Sequence, residues 1–253
     1  MRYFIEFSYK GTAYNGWQKQ KNSLGIQEIL EDAFGKVLRQ PVEITGSSRT
    51  DAGVHAEQQF AHFDTELPIV APDLLVHSIN GMIPRDIAVK SIRAVNKELN
   101  SRFAATHRRY EYRIIKNKNP FLINEAYLLR GDLDVVSMNA AAGFLLGLHD
   151  FESFSKIHTE VNHFRCTVST AEWTILNDKL IFKIQANRFL RGMVRAIVGT
   201  LLEVGRGKRT VEGFKEVLQA RDRKAAGPQA PAEGLFLVEV GYPAAIFNES
   251  VQA

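Results

Sequence analysis

Three clusters of residues in this 253-residue chain have the types and spacing for chemistry. The first is Gly46-Ser47-Ser48-Arg49-Thr50-Asp51-Ala52-Gly53-Val54-His55-Ala56, set between two strand-like runs, Val42 to Thr45 and Gln58 to Phe63. Small residues around one carboxylate and one cation let a ligand come close to the backbone. Asp51-Ala52-Gly53 is also ordinary turn chemistry, so these residues alone do not choose between a turn and a site. The second cluster, Arg108-Arg109-Tyr110-Glu111-Tyr112, has the alternation of any sheet face. The third runs from Asn187 to Arg195, where Arg188, Arg191 and Arg195 stand at i, i+3 and i+7 and are expected on one helix face. Arg195 adjoins an apolar stripe, and an arginine at such an edge calls for a buried anion.

Other signals carry less. Gly205-Arg206-Gly207-Lys208-Arg209-Thr210 resembles a phosphate loop, but the first glycine of that pattern would fall on Leu202. It reads as a basic helix end, with Arg206 and Lys208 available to a phosphate backbone. His158 and His163 lack metal-ligand spacing, His55 reads as a structural hydrogen-bonding residue, and the single cysteine, Cys166, as a buried inert thiol. Tyr14, Trp17, Lys19 and Lys21, in or just beyond the loop from Lys10 to Gln20, suit nucleic-acid stacking and pinning to the core equally well.

The elements that must hold these clusters follow from periodicity. Tyr3, Ile5, Phe7 and Tyr9 alternate in an opening strand. Ile26, Ile29, Leu30, Ala33, Phe34, Val37 and Leu38 form one helix stripe, with Ser23 as its candidate cap. Strands at 42–45 and 58–63, a short helix at 74–79 and a strand at 87–92 complete a strand-helix-strand-strand-helix-strand order. The second half repeats it: a strand around Tyr110 and Tyr112, a helix over 135–146, and strands at 168–176 and 180–186 joined by Asn177-Asp178. A helix from Leu190 to Leu202, a smaller one at 214–218 and a strand at 235–240 follow. The expected fold class is α+β, two ferredoxin-like βαββαβ halves with mainly antiparallel sheets and helices on one side. The expected domains are residues 1–104, carrying the aspartate loop, and 105–253, carrying Tyr110 and Arg195. Gly227-Pro228-Gln229-Ala230-Pro231 reads as a loop over the second half.

Apolar content of 45% and charged content of 24% are those of a globular chain. A formal charge of +4 permits a polyanionic partner without requiring one. No apolar run reaches membrane-span length and the first residues lack a signal-peptide layout, so a cytoplasmic protein away from membranes is expected.

Arg49-Thr50-Asp51-Ala52-Gly53-Val54-His55-Ala56 resembles the aspartate motif of the tRNA pseudouridine synthase A family, residue for residue. Gly16-Trp17-Gln18, Arg108-Arg109-Tyr110, Met193-Val194-Arg195 and Ala232-Glu233-Gly234-Leu235 extend the resemblance over essentially the whole chain. It implies isomerisation of uridine to pseudouridine at positions 38, 39 and 40 of the tRNA anticodon stem-loop, by a homodimer and without a cofactor or metal. It makes Asp51 the essential carboxylate, acting by attack on C1′, by addition to the base or by taking a sugar proton. In the same frame Tyr110 stacks on the target base, Arg195 pairs with Asp51, Arg49 fills the gap left by the displaced nucleotide, and Leu235 walls the pocket. Arg188, Arg191, Arg206 and Lys208 would track the RNA backbone. Two other classes fit the residues: a non-catalytic RNA-binding or RNA-folding protein, and an aspartate-dependent enzyme of small substrates.

Overall fold

The computed structural model describes residues 1–156 and 161–247. The chain divides into a unit of Met1–Thr106 with Leu237–Ala253 and a unit of His107–Phe236. The late segment joins the first unit through specific bonds: the Val240 N–H donates to Gln58 Oε1 (3.0 Å), the Thr106 N–H to the Gly241 carbonyl (2.9 Å), and the Tyr242 hydroxyl to the Ser101 carbonyl (2.6 Å).

The first unit runs β1 (Arg2–Tyr9), α1 (Ile26–Leu38), β2 (Thr45–Gly46), β3 (His55–Asp64), α2 (Pro72–Asn80) and β4 (Ile87–Val95). β1 lies between β4 and β3, antiparallel to both, and β2 pairs antiparallel with β3. This is the ferredoxin-like order. α1 forms because Ile26, Leu30, Ala33 and Phe34 share a buried stripe, and Phe34 meets Phe63 edge-on at 4.9 Å. Its N-cap is Gly25, with no side-chain cap bond, rather than Ser23, which is held in a bridge with Gln20. The opposite sheet face is covered too: Phe4 is buried beside Tyr242 at 5.6 Å and Phe247 at 6.2 Å. Of the strand expected at 42–45 only Thr45 pairs, continuing into Gly46; Val42 and Ile44 are buried outside any ladder.

The second unit carries β5 (His107–Ile115), β6 (Tyr127–Leu128), α3 (Val135–Gly143), β7 (Gly147–Asp150), β8 (Arg165–Leu176), β9 (Lys179–Ala186), α4 (Met193–Gly205) and α5 (Val211–Ala220); β10 (Leu235–Gly241) follows in sequence. Its sheet order is β5-β9-β8-β7, antiparallel throughout, with β6 parallel to β5. Asn177 and Asp178 take φ of 49° and 61°, the paired left-handed geometry of a two-residue hairpin turn. Asp134 caps α3 by accepting from the Ser137 N–H, and Thr210 caps α5 by accepting from the Gly213 N–H. α4 is buried along nearly its whole length. No helix among the described residues is long and apolar enough to cross a membrane.

Candidate active site

Asp51 opens a tight turn in the first unit: the Val54 N–H donates to its carbonyl (3.2 Å), and Gly53 supplies the positive φ of 78° that the turn's third position needs. A second loop, residues 10–17, clamps this turn. The Trp17 N–H donates to the Thr50 carbonyl (3.2 Å), the Gly53 N–H to the Tyr14 carbonyl (3.2 Å), and the Gly11 N–H to His55 Nδ1 (3.1 Å). Backbone approaches backbone so closely that a β-carbon on Gly16, whose φ is +85°, would lie 2.3 Å from the Thr50 carbonyl oxygen. The clamp is itself anchored: Trp17 is 2% exposed against Phe7, and the Tyr14 hydroxyl donates to Asp86 Oδ1 at 2.6 Å. Asp51 is left half-buried and Arg49 exposed.

In the second unit, Tyr110 on β5 is buried, its ring edge-on to Phe189 at 5.1 Å. Arg195 lies in the first turn of α4. Its Nε donates to the Ala230 carbonyl (2.7 Å) and its own carbonyl accepts from the Ala230 N–H (2.9 Å). The loop so gripped is the glycine- and proline-rich one, and it crosses α4 at Gly199, where a β-carbon would strike the Pro228 carbonyl. Farther along, the Tyr112 hydroxyl donates to the Pro231 carbonyl at 2.8 Å, and Gly234 lets the chain pass the Tyr112 ring before the buried Leu235.

A family model described as tRNA pseudouridine synthase matches residues 6–104 and 141–243, which include the aspartate turn, its clamp and the Arg195 helix. The chain belongs to that family. Among relatives named tRNA pseudouridine synthase A, one from Parabacteroides distasonis is 48% identical over 246 residues, 97% of this chain and 98% of its own. One from Vibrio vulnificus is 42% identical over 248 residues (96% and 92%), and one from Exiguobacterium sibiricum 40% over 242 (96% and 97%). The family is one of isomerases that turn uridine into pseudouridine, and this chain is such an enzyme.

The geometry corrects one expectation and decides or bears out others. Arg188 and Arg191 do not share a helix face with Arg195, because α4 begins only at Met193 after Gly192 turns left-handed at φ 70°. That turn interrupts the right-handed backbone that i, i+3, i+7 spacing presupposes. Arg188 instead approaches His163, Nη1 lying 3.4 Å from Nε2, while Arg191 is exposed and its carbonyl accepts from the Lys156 N–H. His158 lies outside the described residues. Tyr14 and Trp17 are core anchors rather than exposed stacking platforms, and Lys19 pairs with Glu31 at 3.2 Å. Arg206 and Lys208 are exposed just past α4. His55 is buried as a hydrogen-bond acceptor, and Cys166 is buried, with its thiol pushed up to about 11 by that burial.

Two residues of the aspartate loop's support escaped the motif reading: Tyr9 and Gln59. The Tyr9 hydroxyl lies 2.9 Å from Thr50 Oγ1, and the Gln59 amide bonds both Ser47 and the Ser48 carbonyl. A glutamine at an inward position of a strand was the signal available, since an unbonded amide there costs about 1–3 kcal/mol.

Proposed function

We propose that this enzyme isomerises uridine at positions 38, 39 and 40 of the tRNA anticodon stem-loop, working as a cytoplasmic homodimer without a cofactor, with Asp51 as its essential carboxylate. The reaction breaks N1–C1′, turns the uracil and forms C5–C1′. The proton lost from C5 is balanced by one gained at N1, so nothing is oxidised and no group leaves the RNA. The observation that carries the reading is the braced turn: a half-buried aspartate, in a chain of this family, held by bonds from Trp17 and to Tyr14 on either side of it. A carboxylate fixed in this way is already oriented when the nucleotide arrives, and orientation is a large share of catalysis where no cofactor acts.

In the same reading Tyr110 stacks on the uracil, Leu235 walls the pocket, and Arg195 keeps Asp51 ionised where desolvation would protonate it. Arg49 fills the place of the displaced nucleotide. Arg188, Arg191, Arg206 and Lys208 contact phosphates. The test is tritium release from tRNA carrying 5-tritiated uridine. The parent protein releases tritium, and Asp51→Asn, which keeps the size and removes the charge, releases none while still binding tRNA. Appreciable turnover by Asp51→Asn removes Asp51 from this role. Binding without release by the parent makes the chain an RNA-binding protein instead.

A further inference from the structure

Beneath the aspartate turn runs a chain of buried polar side chains that the turn's own bonds do not require. Gln59, on β3, has no exposed surface. Its Oε1 accepts from Ser47 Oγ (2.5 Å) and from the Phe60 N–H (3.1 Å), and its Nε2 donates to the Ser48 carbonyl (3.1 Å). Tyr9, on β1 and 4% exposed, lies beside Gln59, and its hydroxyl is 2.9 Å from Thr50 Oγ1. Either hydroxyl of the Tyr9–Thr50 pair can be the donor. The buried polar side chains thus run from Ser47 through Gln59 and Tyr9 to Thr50, the residue that precedes Asp51. Burial pushes the Tyr9 phenol up to about 12, so it stays a donor throughout the neutral range.

An apolar pair at Tyr9 and Gln59 would fill the same space without the cost of desolvating an amide and a phenol. A fully bonded buried network offers rigidity in return, because each member admits only one geometry. We propose that Tyr9, Gln59 and Thr50 are positioning residues that set the orientation of Asp51 for the isomerisation. This rests on the reading of Asp51 given above.

The test is a double-mutant cycle on the tritium-release rate, with melting curves and tRNA binding measured on every variant. Tyr9→Phe keeps the ring and removes the hydroxyl; Thr50→Val keeps the shape and removes its hydroxyl partner; Thr50→Ser keeps the hydroxyl. We expect Tyr9→Phe and Thr50→Val each to lower kcat by about 10- to 100-fold, the scale of a sub-ångström to ångström misplacement, with KM for tRNA nearly unchanged. The double variant should be no slower than either single one, because both cut the same chain. Thr50→Ser should recover most of the rate. Multiplicative losses in the double variant, an unchanged kcat in folded Tyr9→Phe, or a Thr50→Ser as slow as Thr50→Val would each overturn the proposal. If Tyr9→Phe does not fold, the contrast between Thr50→Val and Thr50→Ser decides alone. Failure of the function reading shows separately, as turnover by Asp51→Asn.

Discussion

Gly16 offers the sharpest test of whether the clamp on the aspartate turn matters to the chemistry. A β-carbon at Gly16 would lie 2.3 Å from the Thr50 carbonyl oxygen and 3.0 Å from the Asp51 carbonyl carbon, where ordinary contact begins at 3.4 Å. Both atoms are backbone, so no side chain can swing away, and one loop must move by about 1 Å. The residue also sits at φ +85°, and left-handed backbone costs a residue with a β-carbon about 1–2 kcal/mol. Gly16→Ala should therefore lose about that much stability, and its kcat should fall roughly 100-fold, since an ångström of misplacement has that effect on an oriented group. The control is Gly35→Ala in α1, where the nearest atom to the new β-carbon is the Gln40 carbonyl oxygen at 3.4 Å. Helix propensity makes that change stabilising by about 0.5–1 kcal/mol, with turnover unaltered. Tritium release at saturating tRNA, read beside a melting curve for each protein, supplies both numbers. A folded Gly16→Ala protein that turns over as fast as Gly35→Ala would refute the argument.

Two further outcomes follow from buried titratable groups. Burial, and then the charge of Arg2, hold the His62 imidazole below its usual value of 6.5. The unfolded chain therefore binds a proton first, and stability should fall as pH drops below about 6.5, by no more than about 1.4 kcal/mol per pH unit. His62→Gln should show a shallower decline between pH 7.5 and 5.5 in thermal melts, and parallel slopes for the two proteins would contradict this. Cys166, its thiol pushed up to about 11 by burial, should resist alkylation at pH 8 in the folded protein and react fully once unfolded; mass spectrometry reads the difference.

What could be read from the sequence was local. The stripe from Ile26 to Leu38 became α1, and Asn177-Asp178 became the left-handed turn between β8 and β9, because helix periodicity and turn chemistry depend on residues a few positions apart. Asp51-Ala52-Gly53 was legible as a turn for the same reason. Gly192 shows the limit of spacing. Nothing in the periodicity of Arg188, Arg191 and Arg195 announced that its backbone would turn left-handed and start α4 one residue later. Tyr14 and Trp17 looked as suited to a ligand as to the core, and only the packing on Phe7 and the bond to Asp86 decided for the core. Tyr9 and Gln59 depended on tertiary structure most of all. They meet because β1 and β3 pair with Phe7 opposite Gln59, and because the register shifts before Tyr9 comes opposite Ala56. Side-chain alternation along one strand carries no record of the partner strand's register, so a bond from Tyr9 to Thr50, 41 residues away, exists only once the sheet has formed.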